Sequence, residues 1–226
     1  MEKILITGAS GGIGRAVAAK LTSRGIFPAV HARTPERLAD FPGPKFPGDL
    51  TNASVVETVI TGATKAMGGL DAVIHCAGVG LIKSALDTTD AEFTRVMNIN
   101  TRATFLVARE SCKVMAAAKR GLFITIPGIL GKVPMRNAAA YCASKYAVTG
   151  MIKCFAQEFQ RSGVRFCLLH LGGVDTPFWN DIGMAVQRDK MIPAETAADL
   201  ILQALDAPSH LVLSEIVMQP ESHQLV

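Results

Sequence analysis

Six short apolar runs, at 4–7, 29–31, 72–76, 122–126, 164–169 and 211–218, alternate with longer segments whose apolar residues recur at helical spacing. Most of the runs are β-branched or aromatic and are bounded by turn residues, as fully buried strands are. The segments between them, at 12–24, 54–67, 100–119, 139–161 and 195–205, read as helices. In the fourth, Val148, Ile152, Phe155 and Phe159 return every three or four residues and make one buried stripe. Regular strand-helix alternation requires crossover connections, which give a parallel sheet covered on both faces. The expected fold is therefore α/β, a doubly wound parallel sheet in three α/β/α layers. Pro28 lacks an N–H for a ladder bond, so it is placed at the very start of the second strand. The Pro- and Gly-rich stretch 41–48 reads as a rigid loop around a short third strand.

With 226 residues, 49% hydrophobic and 19% charged, the chain fits one domain with a core that needs neither disulfides nor metals. The net charge of +4 comes from scattered Lys and Arg, with few aromatics, so no nucleic-acid face is expected. Cys76, Cys112, Cys142, Cys154 and Cys167 form no Cys-x-x-Cys pair, and the histidines form no ligand-spaced cluster. Reduced, mostly buried thiols and no metal site are expected. The first apolar run leads directly into a glycine turn, leaving no room for a signal peptide's core, and no run is long enough to span a bilayer. A cytoplasmic location is the corresponding expectation.

Thr7-Gly8-Ala9-Ser10-Gly11-Gly12-Ile13-Gly14 follows the first strand and opens the first helix. Backbone N–H groups and the helix dipole can face a pyrophosphate there, and side chains in place of the glycines would block it. Far downstream, Tyr141 and Lys145 stand four apart, on one face of a helix. An ammonium beside a phenol favours the phenolate and is expected to lower the tyrosine pKa from about 10, preparing it for acid-base work.

The Gly8, Gly12 and Gly14 spacing combined with Tyr141-x-x-x-Lys145 resembles the classical short-chain dehydrogenase/reductase family, and the resemblance covers almost the whole chain. It implies one Rossmann-type domain over 1–226, with a substrate lid at 176–194. Gly48-Asp49-Leu50-Thr51 resembles the family's element at the adenine ring, and His75-Cys76-Ala77-Gly78 its Asn-Asn-Ala-Gly segment. Asn100 matches the active-site asparagine, while Gly172-Gly173-Val174-Asp175-Thr176 resembles the segment near nicotinamide, with Leu171 replacing its proline.

The resemblance thus implies Tyr141, Lys145 and Asn100 as the catalytic set. It implies a cofactor cradle of Gly8, Ser10, Gly12, Ile13, Gly14, Arg33, Asp49, Leu50, Ala77, Gly78, Val174 and Thr176, with Tyr141 and Lys145 touching the cofactor too. Ala32 stands where NAD-preferring relatives carry an aspartate, and Arg33 can pair with a 2′-phosphate, so NADP(H) is favoured with NAD(H) still open. The implied reaction interconverts a small carbonyl compound and an alcohol by hydride transfer. Phe178, Trp179 and Met184 would form an apolar wall at the lid, and the two longest helices suggest a homodimer or homotetramer.

One residue departs from the pattern. The family's serine, which holds the reacting oxygen, lies about thirteen residues before the tyrosine, and here that position is Gly128 in Ile126-Pro127-Gly128-Ile129-Leu130-Gly131. A backbone N–H, a water or a substrate hydroxyl replaces it, or the chain binds cofactor without turnover, or the glycine is an introduced substitution. Restoring serine at this position is expected to raise turnover.

Overall fold

The computed structural model describes residues 1–224. In chain order its elements are β1 (Ile4–Thr7), α1 (Gly12–Ser23), β2 (Ala29–Ala32), β3 (Lys45–Pro47), α2 (Ala53–Met67), β4 (Ala72–His75), α3 (Asp90–Val96), a π-helical turn (Met97–Arg102) and α4 (Ala103–Ala117). There follow β5 (Gly121–Thr125), α5 (Ala139–Glu158), β6 (Val164–Leu171), β7 (Val174–Asp175), β8 (Ile192–Pro193), α6 (Ala194–Asp206) and β9 (Glu215–Met218). Seven strands form the central sheet in the order β3-β2-β1-β4-β5-β6-β9, with every neighbouring pair parallel. β7 and β8 pair separately as a two-stranded parallel sheet.

Alternation of side chains across each strand feeds two cores. Ile4 and Ile6 of β1, Ile74 of β4 and Leu122 and Ile124 of β5 pack with Val17, Leu21, Ile201 and Leu202, which places α1 and α6 on one face. Leu5, Val73 and Phe123 point the other way, onto Val59 and Ile60 of α2, Val107 of α4 and Val148 and Ile152 of α5. The stripe read from the sequence is real: Val148, Ile152 and Phe155 are buried in this second core, and Phe159 packs against it. The doubly wound, three-layer fold follows, in a single domain.

Pro28 stands immediately before β2, where its missing N–H interrupts no ladder bond. Two expectations need correction. Helix begins at Asp90 and not at Asn100, because Thr89 and Glu92 form a reciprocal capping box that starts α3 ten residues earlier. The last strand spans only Glu215–Met218, because pairing with β6 starts at Leu168 opposite Glu215 and leaves Leu211, Val212 and Leu213 exposed. Among the described residues no helix is long and apolar enough to cross a membrane, and no cluster of His, Cys, Asp or Glu is arranged to hold a metal ion.

Candidate active site

The chain leaves β1 toward β2 on one side and returns to β4 on the other, so the connections diverge at the carboxyl ends of β1 and β4 and open a crevice there. Gly8 turns out of β1 with φ 70°, and a Cβ on it would lie 2.7 Å from the Ala77 backbone nitrogen, so the β1–α1 turn and the loop after β4 touch as only glycine permits. Gly14 closes the turn from behind, against the Gly8 carbonyl. Ser10 and Ile13 lie within this turn and the start of α1. Gly11 caps α1 without a side-chain acceptor, and the first turn of the helix holds no acid, so its N–H groups and positive dipole end are available to an anion. Gly12 backs onto the Thr176 methyl, bringing Thr176 and Val174 to the same end of the sheet.

At the far rim Arg33 follows β2, is exposed and makes no ion pair among the described residues, whereas Arg15 is engaged by Asp40 at 2.6 Å and lies over the Phe41 ring. The Asp49 carboxyl is held below the usual carboxylate range, chiefly by the Thr51 backbone N–H, with the Thr51 hydroxyl and the Arg33 and His31 charges adding to it. Leu50 beside it is buried.

On the other side of the crevice the structure brings Asn100 and Lys145 together at Gly78, with the Tyr141 ring beside Lys145. A Cβ on Gly78 would lie 3.2 Å from Asn100 Oδ1 and 3.6 Å from Lys145 Nζ. Asn100, buried in the π-helical turn, accepts the Val79 N–H at 2.9 Å and donates from Nδ2 to the Val79 carbonyl at 2.9 Å and to Ser144 Oγ at 3.0 Å. Ser144 passes its own proton to the Tyr141 carbonyl at 2.7 Å, so one side chain joins the β4 loop to α5. Lys145 Nζ donates to the Ile126 carbonyl at 3.0 Å and lies 5.6 Å from the Tyr141 ring centroid.

The tyrosine pKa shifts in the direction opposite to the expected one. Burial raises the Tyr141 phenol above its ordinary value, with the neighbouring Cys142 adding to the effect, because a phenolate here loses hydration. Phe178 contributes to the cover, its ring 6.2 Å from that of Tyr141 and its tip on Gly80. Trp179 packs edge-on against Phe178 and donates from Nε1 to the Val174 carbonyl at 2.8 Å. Burial also brings the Lys145 ammonium down to about 8, so the cation is present at neutral pH and is lost in mild alkali.

Residues 2–186 match the family model described as short chain dehydrogenase. The chain belongs to the short-chain dehydrogenase family. Among its relatives is an uncharacterized oxidoreductase from Staphylococcus epidermidis, 27% identical over 97% of each chain. A sepiapterin reductase from Chlorobaculum tepidum is also 27% identical, over 97% of this chain and 96% of that protein. A metagenomic short-chain oxidoreductase solved in complex with NADP superposes with a TM-score of 0.80, at 28% identity and 96% coverage of both chains. The short-chain dehydrogenase fold is thus common to this chain and to the metagenomic oxidoreductase that was solved with NADP.

Gly128 follows β5 with φ 71° and ψ 176°, a combination open essentially to glycine alone. Its N–H donates to the Leu169 carbonyl at 3.1 Å, and its own carbonyl accepts from the Gly131 N–H at 3.0 Å and lies 3.1 Å from His170 Nδ1. Ile129 and Leu130, the next residues, pack with Cys142 and Tyr141 in a small apolar cluster that also holds Ile82, Val133 and Met135. Sequence reasoning did not foresee the links made by Ser144, or by His75 and Thr104 beneath Asn100. The only signal for them was that His75 departs from the family's asparagine.

Proposed function

We propose that this short-chain dehydrogenase is an NADP(H)-dependent oxidoreductase that interconverts a carbonyl compound and an alcohol, with Tyr141 as acid and base. The observation that carries the reading is the convergence of Asn100 and Lys145 at Gly78, with the Tyr141 ring beside Lys145, in the same crevice as the uncapped start of α1. A Cβ at Gly8 or Gly12 would strike Ala77 or Thr176, whereas at Gly11, the cap of α1, it would meet only open space, and that open, acid-free helix start fits a pyrophosphate. In this reading Gly8, Ser10, Gly12, Ile13 and Gly14 hold the phosphates, Arg33 the 2′-phosphate, and Asp49 and Leu50 the adenine. Ala77, Gly78, Val174 and Thr176 line the nicotinamide end. The bound cofactor would supply or accept the hydride.

The chain's own groups do the rest. Burial keeps Tyr141 protonated at neutral pH, loaded to donate its proton to a carbonyl oxygen, and the Lys145 ammonium near its ring offsets the charge left behind. Asn100 keeps its side chain on Val79 and Ser144, and its carbonyl retains a lone pair for a water in the proton relay. Residues 176–194 form the substrate lid, with Phe178, Trp179 and Met184 as its apolar wall. The same reading includes a cytoplasmic homodimer or homotetramer built on α4 and α5, which expose Phe105 and Tyr146, to be checked by light scattering.

A second reading, cofactor binding without turnover, is favoured by Gly128 alone, since one missing oxygen-holding donor costs about 100- to 1,000-fold in rate. NADPH titration followed by a panel of carbonyl compounds separates the two. Turnover of some carbonyl is expected, and Tyr141→Phe should abolish it with NADPH affinity within about twofold of wild type. Unchanged turnover in Tyr141→Phe rejects Tyr141 as the acid, and tight NADPH binding without any turnover supports the second reading.

A further inference from the structure

Thr104 Oγ1 lies 2.5 Å from the Asn100 backbone carbonyl. Two oxygens approach this closely only with a proton between them, and a carbonyl has none to give, so the Thr104 hydroxyl proton is committed to Asn100. Toward His75 Nε2, at 2.9 Å, Thr104 Oγ1 can therefore only accept, which places the imidazole proton on Nε2. Nδ1 is left as an acceptor, and the Thr7 hydroxyl, 2.7 Å away, donates to it. Every proton in this series points the same way, from the last residue of β1, through the end of β4, into α4 and back onto the π-helical turn. Thr7, His75, Thr104 and Asn100 are each at most 2% exposed, so no solvent competes for these groups. Burial also holds the His75 imidazole down to about 3, neutral at any working pH.

We propose that Thr7, His75 and Thr104 form a one-way hydrogen-bond chain that positions Asn100 against the Tyr141 and Lys145 helix. The proposal rests on the reading of that trio as the reaction centre. A π-helical turn widens the bonding step from four residues to five, which loosens the hold on its carbonyls, and the Thr104 hydroxyl supplies a second anchor at the residue whose amide bridges Val79 and Ser144. Thr7 immediately precedes Gly8, so the same chain links the phosphate turn to the asparagine. These three are positioning residues, since they reach the reaction only through Asn100.

Nitrogen NMR of the imidazole rings in the full chain is expected to show His75 as a neutral Nε2–H tautomer from about pH 5 to about pH 9. The other tautomer, or a charged ring, overturns the chain. With a carbonyl compound that the wild-type protein reduces, Thr104→Val should lower kcat about tenfold, with KM and NADPH affinity within about twofold of wild type. Thr104→Ser, which keeps the hydroxyl, should restore kcat to within about threefold. A folded Thr104→Val with unchanged kcat, or a Thr104→Ser as impaired as Thr104→Val, refutes the positioning role. If the wild-type chain binds NADPH but reduces no carbonyl, the proposed function fails separately. Amide exchange then decides: faster exchange across residues 100–105 in Thr104→Val supports the anchor, and unchanged protection refutes it.

Discussion

A serine at position 128 would have to adopt φ 71° and ψ 176°, a conformation that costs a residue with a Cβ about 1–3 kcal/mol. The sequence suggests that serine there restores a lost donor; the backbone revises this. Gly128→Ser is expected to lower stability to urea by about 1–3 kcal/mol and to leave turnover no higher than in wild type. Increased turnover at undiminished stability would show that the loop takes up another backbone conformation at no cost. Lys145 carries a cost of another kind. Its folded pKa of about 8 lies below the 10.5 of an ordinary lysine, so the unfolded chain binds the proton more tightly and the buried ammonium destabilises the fold. That cost is full below pH 8, shrinks as the folded group deprotonates, and is gone above about pH 10.5. Lys145→Met should therefore gain on the order of 2 kcal/mol at neutral pH, a gain that fades in alkali, while turnover is lost. A gain that grows with pH would reverse the sign of this account. Neither effect is legible in the sequence: the Tyr141 and Lys145 spacing reports a shared helix face, but not the burial that sets both proton affinities.

At the scale of elements, what the sequence reveals is what burial imposes. Strand and helix positions were readable because each buried face leaves a period, as in Val148, Ile152 and Phe155 on α5. The start of α3 was missed because only Val96 in that helix is buried, so there is almost no stripe to read, and the local signal is the Thr89 and Glu92 box. The apolar run at 211–213 misled for the converse reason: its residues are strand formers with no ladder partner, and Leu211 remains 54% exposed. The π-helical turn at Met97–Arg102 has no period of its own and is tied by partners distant in sequence, namely Val79, Ser144 and, through Thr104, His75. The candidate site residues could be named from their motifs. The bonds that hold them could not, because they cross between segments that no motif contains.

For the whole molecule, the crevice makes stability depend on what fills it. A ligand that binds only the folded state at about 100 times its dissociation constant adds about 2.7 kcal/mol, which in a domain of this size raises Tm by roughly 5–10 °C. NADPH should give such a rise, NADH a smaller one at equal concentration, and Arg33→Ala should erase the difference between them. Equal shifts from both cofactors in the wild-type chain would remove Arg33 from the 2′-phosphate site. The sheet order that creates the crevice also makes α1 and α6 neighbours, with Lys20 paired to Asp199 and Arg24 to Asp206 across nearly the full length of the chain. The inner face of α1, with Val17, Ala18 and Leu21, lies in one core with Ala197, Ile201 and Leu202 of α6. During synthesis on the ribosome that face is made well before α6 and is not fully covered until residues 194–206 emerge, so α1 waits for the last described helix before it is sealed.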